Sequence, residues 1–190
     1  MFRSLSRAGT KIGLRRVGAD AEALWTCRRG VAAIEFAFFG GLLAFAALNV
    51  VDISRYIIQQ MQVANAAQMG AQAAWKTCGL PQLPATTNCS GLAAAVTNAV
   101  QSTSLGTSIT LQPGSPSEGY YCVNAANALQ YISDVNSKPA DCSAAGMPNL
   151  QPGDYISVQT TFAYAPLFSG ITVAGKFPTP VVKTAMMRLG

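Results

Sequence analysis

The sequence predicts an α+β protein in which one long N-terminal transmembrane helix continues into an extracytoplasmic domain made of a short helix and an antiparallel sheet. Three observations carry this expectation. Only 11% of the 190 residues are charged, against about 25% in a soluble domain, and half are hydrophobic, so part of the chain is expected to lie outside water. From Val31 to Val51 the only charge is Glu35. Further along, stretches rich in β-branched and aromatic residues are separated by Gly, Pro, Ser and Asn clusters, the pattern of strands and turns.

Residues 1–30 read as a basic leader. Arg3, Arg7, Lys11, Arg15, Arg16, Arg28 and Arg29 face only Asp20 and Glu22, whereas residues 31–190 hold six cations and six acids, so the whole net charge of +5 lies in this leader. Its place directly before an apolar run marks it as a membrane-orienting segment and argues against nucleic acid as its partner. The run itself, residues 31–51, would rise through about 32 Å as a helix, close to the hydrocarbon thickness of about 30 Å. Arg15, Arg16, Arg28 and Arg29 precede it and only Arg55 closely follows it, so the positive-inside rule places the N-terminus in the cytoplasm of a single-pass protein and the last 139 residues outside.

The helix is expected to continue through residues 52–77, which lack proline. There Arg55, Gln59, Gln62, Asn65, Gln68 or Gln72, and Lys76 recur at helical spacing, and Ile53, Ile57, Met61, Ala64, Ala71 and Ala74 form the apolar face opposite. Gly79 and Pro81 end it. In the outer domain, residues 78–190, a loop is expected at 79–90 and a second helix from Gly91 to Leu105. TSITLQP, EGYYCVN, DYISVQTTFAYAP and TPVVKTAMMR are candidate strands, with Ile156, Val158, Thr160 and Phe162 alternating against Ser157, Gln159, Thr161 and Ala163. A short helix or strand fits around Ala128 to Ser133. Tyr120, Tyr121, Tyr155, Phe162, Tyr164 and Phe168 read as sheet core.

Histidine is absent, which removes Ser-His and Cys-His nucleophiles, HExxH zinc sites and imidazole acid–base chemistry. Asp134, Asp141 and Asp154 lack the close spacing of a calcium loop and read as solvated loop residues. No metal, cofactor or enzymatic activity is therefore expected. One cysteine, Cys27, falls on the cytoplasmic side, and Cys78, Cys89, Cys122 and Cys142 fall outside, an even number suited to an oxidising compartment. Of their three pairings, Cys78 with Cys89 and Cys122 with Cys142 is favoured, because each closes a loop punctuated by Pro, Gly or Asn.

A carboxylate within an apolar span is unfavourable unless it is paired, protonated or reaches the interface, so Glu35 needs a partner. In the stretch CRRGVAAIEFAFFGGLLAF, Arg28-Arg29-Gly30 and Ala32-Ala33-Ile34-Glu35-Phe36-Ala37, followed by the long helix and a final strand with Met187-Arg188, the chain resembles the TadE-like minor pilins or pseudopilins of the tight-adherence (Tad/Flp) type IV pilus systems. That resemblance implies a pilin-like outer domain and a leader recognised at Arg28 and Arg29. A prepilin peptidase would cut between Gly30 and Val31. The new amine at Val31 of one subunit would then pair with Glu35 of a neighbour during assembly. The implied partners are other pilins, the prepilin peptidase, the inner-membrane assembly platform and membrane lipid. Gly40-Gly41 stands where many relatives carry proline, and Phe36 where the major pilins carry tyrosine. The 139-residue outer portion favours a minor subunit over the much shorter major one. Two other classes compete with this reading: a permanently anchored extracytoplasmic binding module with no filament role, and a secreted enzyme, for which a chain without histidine leaves few mechanisms.

Overall fold

The computed structural model describes residues 28–190, with side chains from Gly30 onward. The leader up to Cys27 lies outside the described residues. The architecture is α+β: a long N-terminal apolar helix followed by an antiparallel sheet and short helices. The chain divides into two compact units between Leu48 and Asn49. Helix α1, Arg28–Thr77, supplies the described part of the first unit and begins the second.

In the first unit the apolar side chains are bare: Phe36 is 81% exposed, Ile34 73% and Leu43 70%. Such a surface requires an apolar environment, and the helix is long and apolar enough to cross a membrane. Residues 31–51, expected as the span, lie within this membrane-type helix.

The second unit is organised around one strand. The five strands are β1 (Ile109–Leu111), β2 (Ser117–Val123), β3 (Leu129–Asp134), β4 (Gly153–Phe162) and β5 (Val181–Arg188), every pairing antiparallel. Along β4, β5 pairs from Tyr155↔Arg188 to Phe162↔Val181. β2 takes residues 153–157 and β1 residues 160–162 of the same strand; because these registers overlap that of β5, they must occupy the opposite edge. β3 lies outside β2. Ile156, Val158 and Thr160, the alternate residues of β4, are fully buried, as the period-two pattern requires. They share a core with Val63, Ala66, Ala71 and Ala74 of α1, with Ile109, and with Leu92, Val96 and Val100 of a helix at Leu92–Gln101.

That helix is α3; it stops at Gln101, four residues short of the expected Leu105, where the chain passes into turns and a 3-10 turn at Gly106–Ser108. The region expected as a loop, 79–90, contains a 3-10 turn at Leu80–Gln82 and a one-turn helix, α2, at Ala85–Asn88. Its start is fixed from far away: the Glu118 carboxylate on β2 accepts the Ala85 and Thr86 N–H groups at 2.8 and 2.7 Å and the Thr86 hydroxyl at 2.7 Å. A carboxylate at free helical N–H groups stabilises a first turn, and no local sequence signal encodes a residue 33 positions away.

The packed face of α1 differs in part from the expected one: Ala71 and Ala74 are in the core as read, but its larger residues are not. Ile57 and Met61 are 51% and 60% exposed, whereas Asp52, Tyr56, Val63, Ala66, Ala67, Gly70, Ala71 and Ala74 are buried. Small residues let the helix backbone approach the sheet. A Cβ at Gly70 would sit 2.9 Å from Val100 Cγ2 and 3.0 Å from Val158 Cγ1, and the Thr160 hydroxyl bonds the Val63 carbonyl at 3.2 Å. Hydropathy alone favours the large side chains, but close packing against β4 selects the small ones.

The aromatic residues contribute less to the core than expected. Tyr164 is buried and Phe162 packs against the core, but Tyr121 stacks edge-on with Tyr131 and Tyr155 in a half-exposed group. Disulfides join Cys78 to Cys89, tying the end of α1 to the residue after α2, and Cys122 to Cys142, tying β2 to the loop before β4.

Candidate functional site

The N-terminal segment from Gly30 to Glu35 is helical and exposed. A Cβ on Gly30 would meet open space, so the fold in itself does not require glycine there. Glu35, also exposed, lies one turn beyond Val31 on the helix. The sequence singled out Gly30 and Val31 as a cleavage site, Glu35 as an assembly residue and Arg28 and Arg29 as leader recognition. Gly30, Val31 and Glu35 share one short stretch of helix surface; only the backbone of the two arginines is described, within the same helix.

Just past the apolar run stands a site that sequence reasoning missed. Asp52 is completely buried, and its carboxylate accepts three hydrogen bonds from the loop between β4 and β5: Leu167 N–H at 2.9 Å, Phe168 N–H at 3.2 Å and the Thr172 hydroxyl at 2.6 Å. The Tyr164 hydroxyl donates to the Asp52 backbone carbonyl at 3.2 Å. One turn earlier the Asn49 side-chain oxygen accepts the Val173 N–H at 2.9 Å, and one turn later the Tyr56 hydroxyl donates to the Pro178 carbonyl at 3.4 Å. Asn49, Asp52 and Tyr56 therefore form a stripe at helical spacing that holds an 18-residue connection, residues 163–180. The available signal was a lone acid directly after an apolar run, too common a pattern to identify its donors.

A third cluster lies at the N-terminal end of β4. Asp154, expected as a solvated loop residue, is a strand residue only 6% exposed, and its Oδ1 is buried without a hydrogen-bond partner. It borders a cavity of about 180 Å³ lined also by Leu83, Pro84, Tyr120, Lys138 and Pro152. Burial, then the neighbouring negative charge of Glu118 and a hydrogen bond with it, push the Asp154 carboxyl up to about 6, with Lys138 acting in the opposite direction. Its strand pairs the chain end: Leu189 N–H donates to the Asp154 carbonyl at 2.8 Å, and Asp154 N–H to the Gly190 carbonyl at 3.2 Å. Among the described residues, no group of three or more His, Cys, Asp or Glu side chains converges as a metal site would require.

Among the described residues one helix is long and apolar enough to cross a membrane, with one acid near its start, and it continues into a disulfide-stapled α+β unit: the class is that of an α+β protein with an N-terminal membrane-type helix. In comparison with known proteins, the family described as TadE-like protein matches residues 30–72, from the glycine before the apolar run to the packed turns of α1. Over those residues the chain is similar to the TadE-like family. No curated protein matches the chain, and no solved structure does.

Proposed function

We propose that this protein is a minor pilin or pseudopilin that takes part in the assembly or initiation of a Tad-type pilus for surface adherence. The observation that carries the reading is the exposed apolar run of residues 31–51, whose only charge is Glu35, which lies inside the TadE-like match and is directly preceded by Arg28-Arg29-Gly30. The protein would first sit in the bacterial inner membrane with its N-terminus in the cytoplasm. A prepilin peptidase would then remove residues 1–30 and with them all the net positive charge. Val31 would present a new ammonium group, and Glu35 of an adjoining subunit would take it as counter-charge in an environment where an unpaired carboxylate is unfavourable. Other pilins and the inner-membrane assembly platform are its partners in this scheme, and the role is structural. The exposed Ile57 and Met61 on the outer part of α1 supply apolar surface that sibling subunits can cover.

Intact-mass measurement of protein purified from membranes tests the scheme. The expected mature chain begins at Val31; an uncut chain would point to a permanently anchored binding module. Gly30→Lys should stay full length, and since nothing among the described residues packs near Gly30 this failure would reflect lost recognition and not misfolding.

A further inference from the structure

The connection between β4 and β5 carries more bare apolar surface than a water-facing loop needs. Leu167 is 58% exposed, Ile171 56% and Val173 48%. From Ala163 to Pro180 there is no acid, and the single charge is Lys176. The three side chains do not lie at a distant edge. Leu167 N–H is bonded to Asp52, and Val173 N–H to Asn49, so the loop flanks the last turn of the apolar run, where Val50 and Val51 are themselves 62% and 45% exposed. Whatever depth Asn49 to Asp52 occupy at the membrane boundary, this loop shares it.

We propose that the β4–β5 loop is a second membrane contact, with Leu167, Ile171 and Val173 inserted at the outer interface of the bilayer beside the end of the α1 span. The occupant is lipid, for two reasons. The loop's exposed apolar residues are fastened through the Leu167 and Val173 N–H groups to Asp52 and Asn49 at the end of the apolar run, and Lys176 is a cation suited to anionic headgroups, with no acid in the loop to oppose it. The buried Asp52 carboxylate gives the arrangement its rigidity. By holding two loop N–H groups and the Thr172 hydroxyl, it keeps the backbone's polar groups bonded where water is scarce and leaves the apolar side chains outward. The inference rests on residues 31–51 spanning the membrane.

The test uses the full chain carrying Cys27→Ser, with its four remaining cysteines in disulfides, reconstituted in vesicles of phosphatidylethanolamine and phosphatidylglycerol. Single cysteines replace Leu43, Ile171 or Ser137, all exposed, so folding is not at risk. Each is labelled with a polarity-sensitive dye and challenged with acyl-chain nitroxide lipids. Loss of most emission at positions 43 and 171, with none at 137, is the expected result. Quenching at 43 with emission at 171 like that at 137 would overturn the loop contact and leave the span intact. A blue-shifted but unquenched label at 171 would place the loop against protein and equally overturn it. Absence of quenching at 43 would remove the span and the loop contact together.

Discussion

Two aspartates show how environment gives the same residue type different duties. Asp52 is buried and fully used, its two oxygens spread over three donors. Asp52→Ala would strand those donors inside the protein, and hydrogen exchange at Leu167 and Phe168 should accelerate while the β4 amides stay protected; Asp52→Asn, which keeps one acceptor, should do less. Asp154 is buried and under-used. With its carboxyl near 6 when folded and about 4 when unfolded, the native state holds this proton more tightly, so the residue's contribution falls as pH rises from about 4 to about 6 and stays level above. Partial solvent screening keeps the swing to about 1–2 kcal/mol. Asp154→Asn should therefore match wild type near the acid end of that window and exceed it in urea midpoint at neutral pH. Near the N-terminal end of the apolar run, Glu35→Gln keeps the shape of the side chain and removes its charge. Membrane insertion should be unchanged, whereas incorporation into a surface fibre should fall, as immunoblots of sheared filaments would report.

At the scale of elements, α1 meets the sheet through small residues, and this contact sets the stability of the outer unit. Gly70→Leu would drive a side chain into Val96, Val100 and Val158 and should cost about 1–3 kcal/mol by overpacking; Gly70→Ala should also destabilise, though less, because its Cβ already meets the methyl groups of buried valines that are stiff at χ1. The two disulfides span 11 and 20 residues. Replacing either pair by serine should lower unfolding free energy by about 3 kcal/mol in the chain-entropy account, which denaturant titration can check. The Cys78–Cys89 pair has the added consequence of anchoring α2, whose single turn is too short to persist alone and takes its start from Glu118 on β2.

For the whole molecule, the division of labour follows from solvent. A helix that is apolar all round suits lipid, and the same helix made one-sided by alanine, glycine and a buried acid suits a protein core. The change occurs near Asn49, where the chain divides into its two units and where the β4–β5 connection is fastened. Periodicity made the span, the continuous helix and the alternation of β4 legible, because each depends on neighbours in sequence. It placed Ala71 and Ala74 on the packed face of α1 but also Ile57 and Met61, which outrank alanine in hydropathy, whereas Gly70 lets the backbone reach Val158 and the Val63 carbonyl meets the Thr160 hydroxyl. Residues 79–90 gave no helical signal, because the acid that starts α2 lies on another strand.

Order along the chain therefore determined the anchor, the strand pattern and the basic junction before Val31, all of which rest on local hydropathy and charge. Long-range geometry decided the rest: which side of α1 is buried, which donors surround Asp52, and why Asp154 keeps its proton up to about pH 6. Those outcomes depend on distances between residues up to about 120 positions apart, and the free energy of a buried carboxylate is set by whatever the fold brings to it.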